Sequence, residues 1–115
     1  MRDEAALSPA ARRSCTDPAN ELYLSAVSAW EITAKNTIGR LTLPATPVAF
    51  IRECCAHYDI NTLPLTDEAV WQLPKLPHIH RDPFDRMLIC QALAHGLVIL
   101  TPDVYIRKYA APVLW

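Results

Sequence analysis

Four short apolar or β-prone runs, Leu22-Tyr23-Leu24, Ile60-Asn61-Thr62-Leu63, Leu97-Val98-Ile99-Leu100 and Val113-Leu114-Trp115, are separated by stretches that carry helix signals. Continuous apolar runs of this length suit strands covered on both faces, and strands alternating with helices define βα units with right-handed crossovers. The alternation predicts an α/β fold: a parallel sheet from strands near 22–25, 60–63, 97–100 and 113–115, with helices on both faces. Helix starts are marked by Ser8-Pro9, Thr46-Pro47 and Asp82-Pro83, each a capping side chain ahead of a proline suited to the first helical position. The only two glycines, Gly39 and Gly96, each follow an apolar-periodic stretch, which predicts helices near 28–38 and 83–95. A short helix near 66–73 runs into the irregular Leu73-Pro74-Lys75-Leu76-Pro77.

A chain of 115 residues, 51% of them hydrophobic, can bury one modest core, and no linker or internal repeat divides it. A single domain spanning 1–115 is expected. No apolar run approaches the roughly 20 residues of a membrane span, and Met1-Arg2-Asp3-Glu4 lacks the apolar stretch of a signal peptide. The four cysteines, Cys15, Cys54, Cys55 and Cys90, form no C-x-x-C pair and read as free thiols of a reducing compartment, so a cytoplasmic protein is expected. The net charge of −1 advertises no basic nucleic-acid surface, although an enzyme that reaches phosphates through metal ions does not need one.

Glu31, Asp85 and Asp103 each have a plain structural reading. Ser28-Ala29-Trp30-Glu31 is a capping-box pattern; Asp82 and Asp85 suit the N-cap and first turn of the helix they open; Asp103, in Thr101-Pro102-Asp103, suits a turn. Their common placement argues for more, since all three fall at the carboxyl end of a strand or at the start of the helix that follows. In open α/β sheets that edge is where ligands bind. Carboxylates gathered there repel one another unless a cation neutralises them, and hard oxygen donors suit Mg²⁺ or Mn²⁺. Such a site can activate water against a phosphodiester without a histidine or cysteine nucleophile.

Val27-Ser28-Ala29-Trp30-Glu31-Ile32, Gly39-Arg40-Leu41-Thr42-Leu43-Pro44, His80-Arg81-Asp82-Pro83-Phe84-Asp85-Arg86-Met87-Leu88-Ile89-Cys90-Gln91-Ala92 and Leu100-Thr101-Pro102-Asp103 together resemble PIN-domain proteins of the VapC toxin type. The resemblance runs through nearly the whole chain, with the terminal Pro112-Val113-Leu114-Trp115 in support. It implies a metal-dependent endoribonuclease toxin that acts on RNA, forms a homodimer and is inhibited by a cognate antitoxin. Glu31, Asp85 and Asp103 match three of the family's four acidic positions, and Asp82 is an accessory carboxylate. The family's first strand, ending in an aspartate, has no counterpart here, and Asp3 does not replace it because no strand precedes it. The resemblance therefore implies a truncated PIN-like domain, from an upstream gene start or a degenerate copy, with weak or absent cleavage. With that central strand absent, strands 22–25 and 97–100 would keep unpaired edges, so a dimer, a strand exchange or marginal stability is expected. The alternative reading is a catalytically dead binding and dimerisation module that partners an antitoxin.

Other residues have plainer roles to set beside a functional one. His78-Ile79-His80-Arg81-Asp82 resembles the start of a zinc-hydrolase motif, but Pro83 stands where its next histidine belongs. His57 and His95 fit helix-end positions. Arg86 and Lys35 are candidates for phosphate contact, against the default of solvated helical charge. Thr101 and Ser28 could orient a metal-bound water or a phosphate, although turn and capping roles serve equally well. Trp30, Trp71 and Trp115 fit core or interface filler.

Overall fold

The computed structural model describes residues 8–79 and 81–115, so Asp3 and His80 lie outside the described residues. The order of elements is α1 (Pro9–Thr16), β1 (Leu22–Ser25), α2 (Ala26–Thr37), α3 (Pro47–Tyr58), β2 (Ile60–Leu63), α4 (Asp67–Val70), α5 (Pro83–His95), β3 (Ile99–Leu100) and β4 (Val113–Leu114), with 3₁₀ turns at Leu73–Lys75 and Ile106–Lys108. The strands pair in parallel, as the βα alternation requires, and they form two separate ladders, β1 with β2 and β3 with β4. The chain forms two compact units, one of residues 18–64 and one that joins residues 65–115 to α1.

In the first unit, β1 and β2 run in register from Leu22 opposite Ile60 to Ser25 opposite Leu63. Ser25 ends the strand in an extended conformation, and its hydroxyl accepts the Val27 N–H at 3.0 Å, so α2 begins at Ala26 rather than near Ser28. The helix closes through Gly39, whose φ of 77° lets its N–H reach the Asn36 carbonyl while Arg40 N–H reaches Lys35. Thr46 caps α3 by accepting from Ala49 N–H at 3.3 Å, and Asp59 ends it in the left-handed region that short polar side chains tolerate.

The second unit holds the larger core, in which Ile89, Cys90 and Ala92 of α5 pack with Leu76, Ile106, Tyr109 and Ala111. Ser8 caps α1 as the Ser-Pro pair predicts, its hydroxyl accepting from Ala11 N–H at 3.1 Å, and Asp82 caps α5. The expected helix over 66–73 is one turn of α-helix over Asp67–Val70, followed by the 3₁₀ turn at Leu73–Lys75. Pro74 sits inside that turn, where it has no N–H to continue an α-helical ladder. Gly96, at φ 65°, ends α5, and the Leu97 N–H bonds back to the Ala92 carbonyl at 3.0 Å. That bond holds Leu97 to the helix end, so β3 is confined to Ile99–Leu100 rather than running from 97. The ladder to β4 is closed by the Ile99 N–H on the Pro112 carbonyl and, just beyond β3, the Thr101 N–H on the Leu114 carbonyl.

Candidate functional site

Glu31 lies in the first unit, and Asp82, Asp85 and Asp103 lie in the second. Because α2 starts at Ala26, Glu31 sits in its second turn, and Ser28 is the third helical residue. The capping-box reading of Ser28 and Glu31 is thereby corrected: Ser25 provides the cap, and the Glu31 carboxylate pairs with Lys35 at 3.4 Å across one helical turn. A pair of this kind contributes only about 0.3–0.5 kcal/mol, and Lys35 has 54% of its side chain exposed, so the carboxylate is weakly committed.

Asp82 and Asp85 open α5. The Asp82 carboxylate accepts from Phe84 N–H at 2.9 Å and from Asp85 N–H at 3.3 Å through one oxygen, which confirms its capping role. Asp85 is the third residue of the helix, partly buried, beside the positive end of the helix dipole. Asp103 has a similar local geometry three residues beyond β3. Its carboxylate accepts from Tyr105 N–H at 2.7 Å and Ile106 N–H at 3.4 Å, starting the turn at Ile106–Lys108, while the Thr101 hydroxyl accepts from Asp103 N–H at 3.1 Å. Thr101 thus orients the aspartate through the backbone. A carboxylate has two oxygens and about four acceptor positions, so capping through one oxygen is compatible with a ligand on the other.

The donor set is all carboxylate and suits a hard divalent cation. Among the described residues, however, no three His, Cys, Asp or Glu side chains are gathered closely enough to hold a metal ion.

Arg86, read in the sequence as a candidate phosphate contact, is tied internally. Its guanidinium donates to the Pro77 carbonyl at 2.9 Å and to the Tyr109 hydroxyl at 3.3 Å. Tyr109 is separated from Arg86 by 23 positions, and no local spacing announces the pair. His95 likewise has a structural partner, its ring nitrogen lying 3.2 Å from the Thr66 hydroxyl, and His57 meets the Tyr58 ring edge-on at 4.6 Å. Trp30 and Trp71 are 64% and 66% exposed, so neither fills a core, while Trp115 is half-buried. Burial pushes the Cys90 thiol above its ordinary value, with the Arg86 charge acting in the opposite sense. Cys55 is raised by burial and by the neighbouring Cys54.

Parallel βα pairs with aspartates placed after a strand and at a helix start define an α/β protein whose candidate chemistry rests on carboxylates. The family model described as PIN domain matches residues 3–112, and the chain belongs to the PIN-domain family. PIN domains are generally nucleases and generally use divalent metal ions, which gives this chain a nuclease-like function in general terms and nucleic acid as its class of ligand. No curated protein and no solved structure matches the chain. Among the described residues no helix is long and apolar enough to cross a membrane.

Proposed function

We propose that this PIN domain is a metal-dependent endoribonuclease of the VapC toxin type, with Glu31, Asp85 and Asp103 as metal ligands and Asp82 as an accessory carboxylate. The observation that carries the reading is the match to the PIN domain over residues 3–112, within which these acidic residues fall. Mg²⁺ or Mn²⁺, when bound, supplies charge neutralisation at the scissile phosphate and lowers the pKa of a water. The chain's own part is to place the carboxylates, Asp85 by the backbone of the first turn of α5 and Asp103 by the N–H groups of its turn after β3, which hold its carboxylate before substrate arrives. A homodimer and a cognate antitoxin belong to the same proposal.

A second reading is favoured by the structural employment of the acids. Asp82 and Asp103 cap turns and Glu31 pairs with Lys35, so each has a use without any metal. On that reading the chain is a catalytically silent PIN module that binds an antitoxin or a second copy. Cleavage of single-stranded RNA with Mn²⁺ by the parent chain, Glu31→Gln, Asp85→Asn and Asp103→Asn separates the two. The nuclease reading expects metal-dependent cleavage lost in each variant while Mn²⁺ affinity falls. Cleavage indifferent to all three substitutions would overturn it, and a chain inert with every metal would favour the binding module.

A further inference from the structure

We propose that Arg86 is a positioning residue: a strut that fixes the acidic start of α5 against the acidic turn at Asp103. The inference rests on the functional reading above for its catalytic consequence, but its geometry stands within the second unit alone. Three segments distant in sequence meet at one guanidinium. Arg86 itself is next to Asp85 on α5; its first acceptor is the carbonyl of Pro77, in the stretch that leads into Asp82; its second is the hydroxyl of Tyr109, which follows the turn that Asp103 starts. The acceptor on the Tyr109 side is firmly anchored, since Tyr109 is 5% exposed and belongs to the same core cluster as Ile89, Cys90 and Ile106.

Each acidic element is rigid over its own few residues through capping bonds, but those bonds do not fix one element relative to the other. Arg86 and Tyr109 do, because each sits within six positions of one of the aspartates and they bond to each other. A planar guanidinium suits the task, since its donors diverge in fixed directions and can hold two acceptors at a set angle, whereas an ammonium on a flexible stem cannot. The same commitment weighs against Arg86 as a phosphate contact, because Nη1 already serves two protein oxygens and holds the guanidinium against the chain.

The test uses Tyr109→Phe and Arg86→Lys in the full chain. Tyr109→Phe keeps the arginine charge and the aromatic core and removes only the hydroxyl. Steady-state cleavage of single-stranded RNA with Mn²⁺ should show kcat falling roughly tenfold to a hundredfold in both variants with KM within about twofold, as misplacement of positioned groups predicts. A phosphate contact would instead raise KM in Arg86→Lys with kcat little changed and leave Tyr109→Phe silent, and that result would overturn the strut. Backbone amide exchange in the metal-free chain reads the strut without substrate. Exchange should quicken at residues 103–109 and 78–86 in both variants while Ala92–His95 stay as in the parent. Unchanged exchange in those two segments would also refute the proposal. Absence of cleavage by the parent chain would count against the nuclease reading, with the exchange pattern still deciding the strut.

Discussion

Asp82 is both the N-cap of α5 and a candidate accessory ligand, and two substitutions separate the roles. Its carboxylate accepts from Phe84 N–H at 2.9 Å and Asp85 N–H at 3.3 Å, so Asp82→Ala removes the acceptor for both. Loss of such a cap costs about 1 kcal/mol and up to about 2. Part of that is the attraction of a negative charge to the helix start, about 0.3–1 kcal/mol. Asn caps as well as Asp, so Asp82→Asn keeps the acceptor and gives up only the charge. With about 2.1 cal/mol/K of unfolding entropy per residue, the 115 residues give roughly 240 cal/mol/K. Asp82→Ala is therefore expected to lower Tm by about 4–8 °C and Asp82→Asn by about 1–4 °C. Calorimetry on the three proteins at pH 7 reads both. Equal losses in the two variants would show that charge, not the cap, holds the helix start. No loss in Asp82→Ala would refute the assignment of the cap as a stabilising contact. An accessory metal role shows separately, as weaker Mn²⁺ affinity in Asp82→Asn out of proportion to its small shift in Tm.

Two further outcomes follow from backbone and burial. Gly96 has φ +65° and nothing within 4 Å of the position a Cβ would take, so Gly96→Ala should lose about 1 kcal/mol from left-handed strain alone, and Gly96→Asn less, because Asn tolerates that conformation; equal Tm values for the three proteins would contradict this. The Cys90 thiol is raised by burial, so the folded state holds its proton more tightly than the unfolded chain. Its contribution is fully present below the ordinary thiol value of 9.0 and is lost as pH rises through the raised folded value. Urea midpoints should therefore fall as pH rises above about 9, less steeply in Cys90→Ala than in the parent, and identical slopes would exclude Cys90 as the source.

The parts of the fold that were legible are those fixed by neighbours in sequence. Ser8-Pro9, Thr46-Pro47 and Asp82-Pro83 each open the helix they predict, because a capping oxygen and a fixed φ act over three residues, and Gly39 and Gly96 adopt the positive φ that ends one. Ser28 misleads for an equally local reason. Ser25 and Ser28 both precede helical residues, and only the strand pairing of β1, which carries Ser25 opposite Leu63, decides which of them sits at the boundary. That shift by three positions moves Glu31 from the first turn to the second, away from the capping position, while its i,i+4 partner Lys35 is the same in either register.

The acidic positions were legible as residues but their surroundings were not, and the difference is one of range. Capping by Asp82 and Asp103 can be anticipated from their turns, since each accepts from N–H groups two and three residues ahead. The Arg86 guanidinium cannot be placed from its motif, because its acceptors lie 9 positions before it and 23 after it, and either distance requires the packed core to close first. A charged residue in an acidic motif therefore reads as a ligand for phosphate until the fold supplies two neutral oxygens for it. Neither the carbonyl nor the hydroxyl carries a countercharge, and the arginine's charge opposes the effect of burial on Cys90, one turn further along α5. Replacing the arginine by a neutral residue removes this opposition as well as the two bonds, which is why Tyr109→Phe, with the charge retained, isolates the strut.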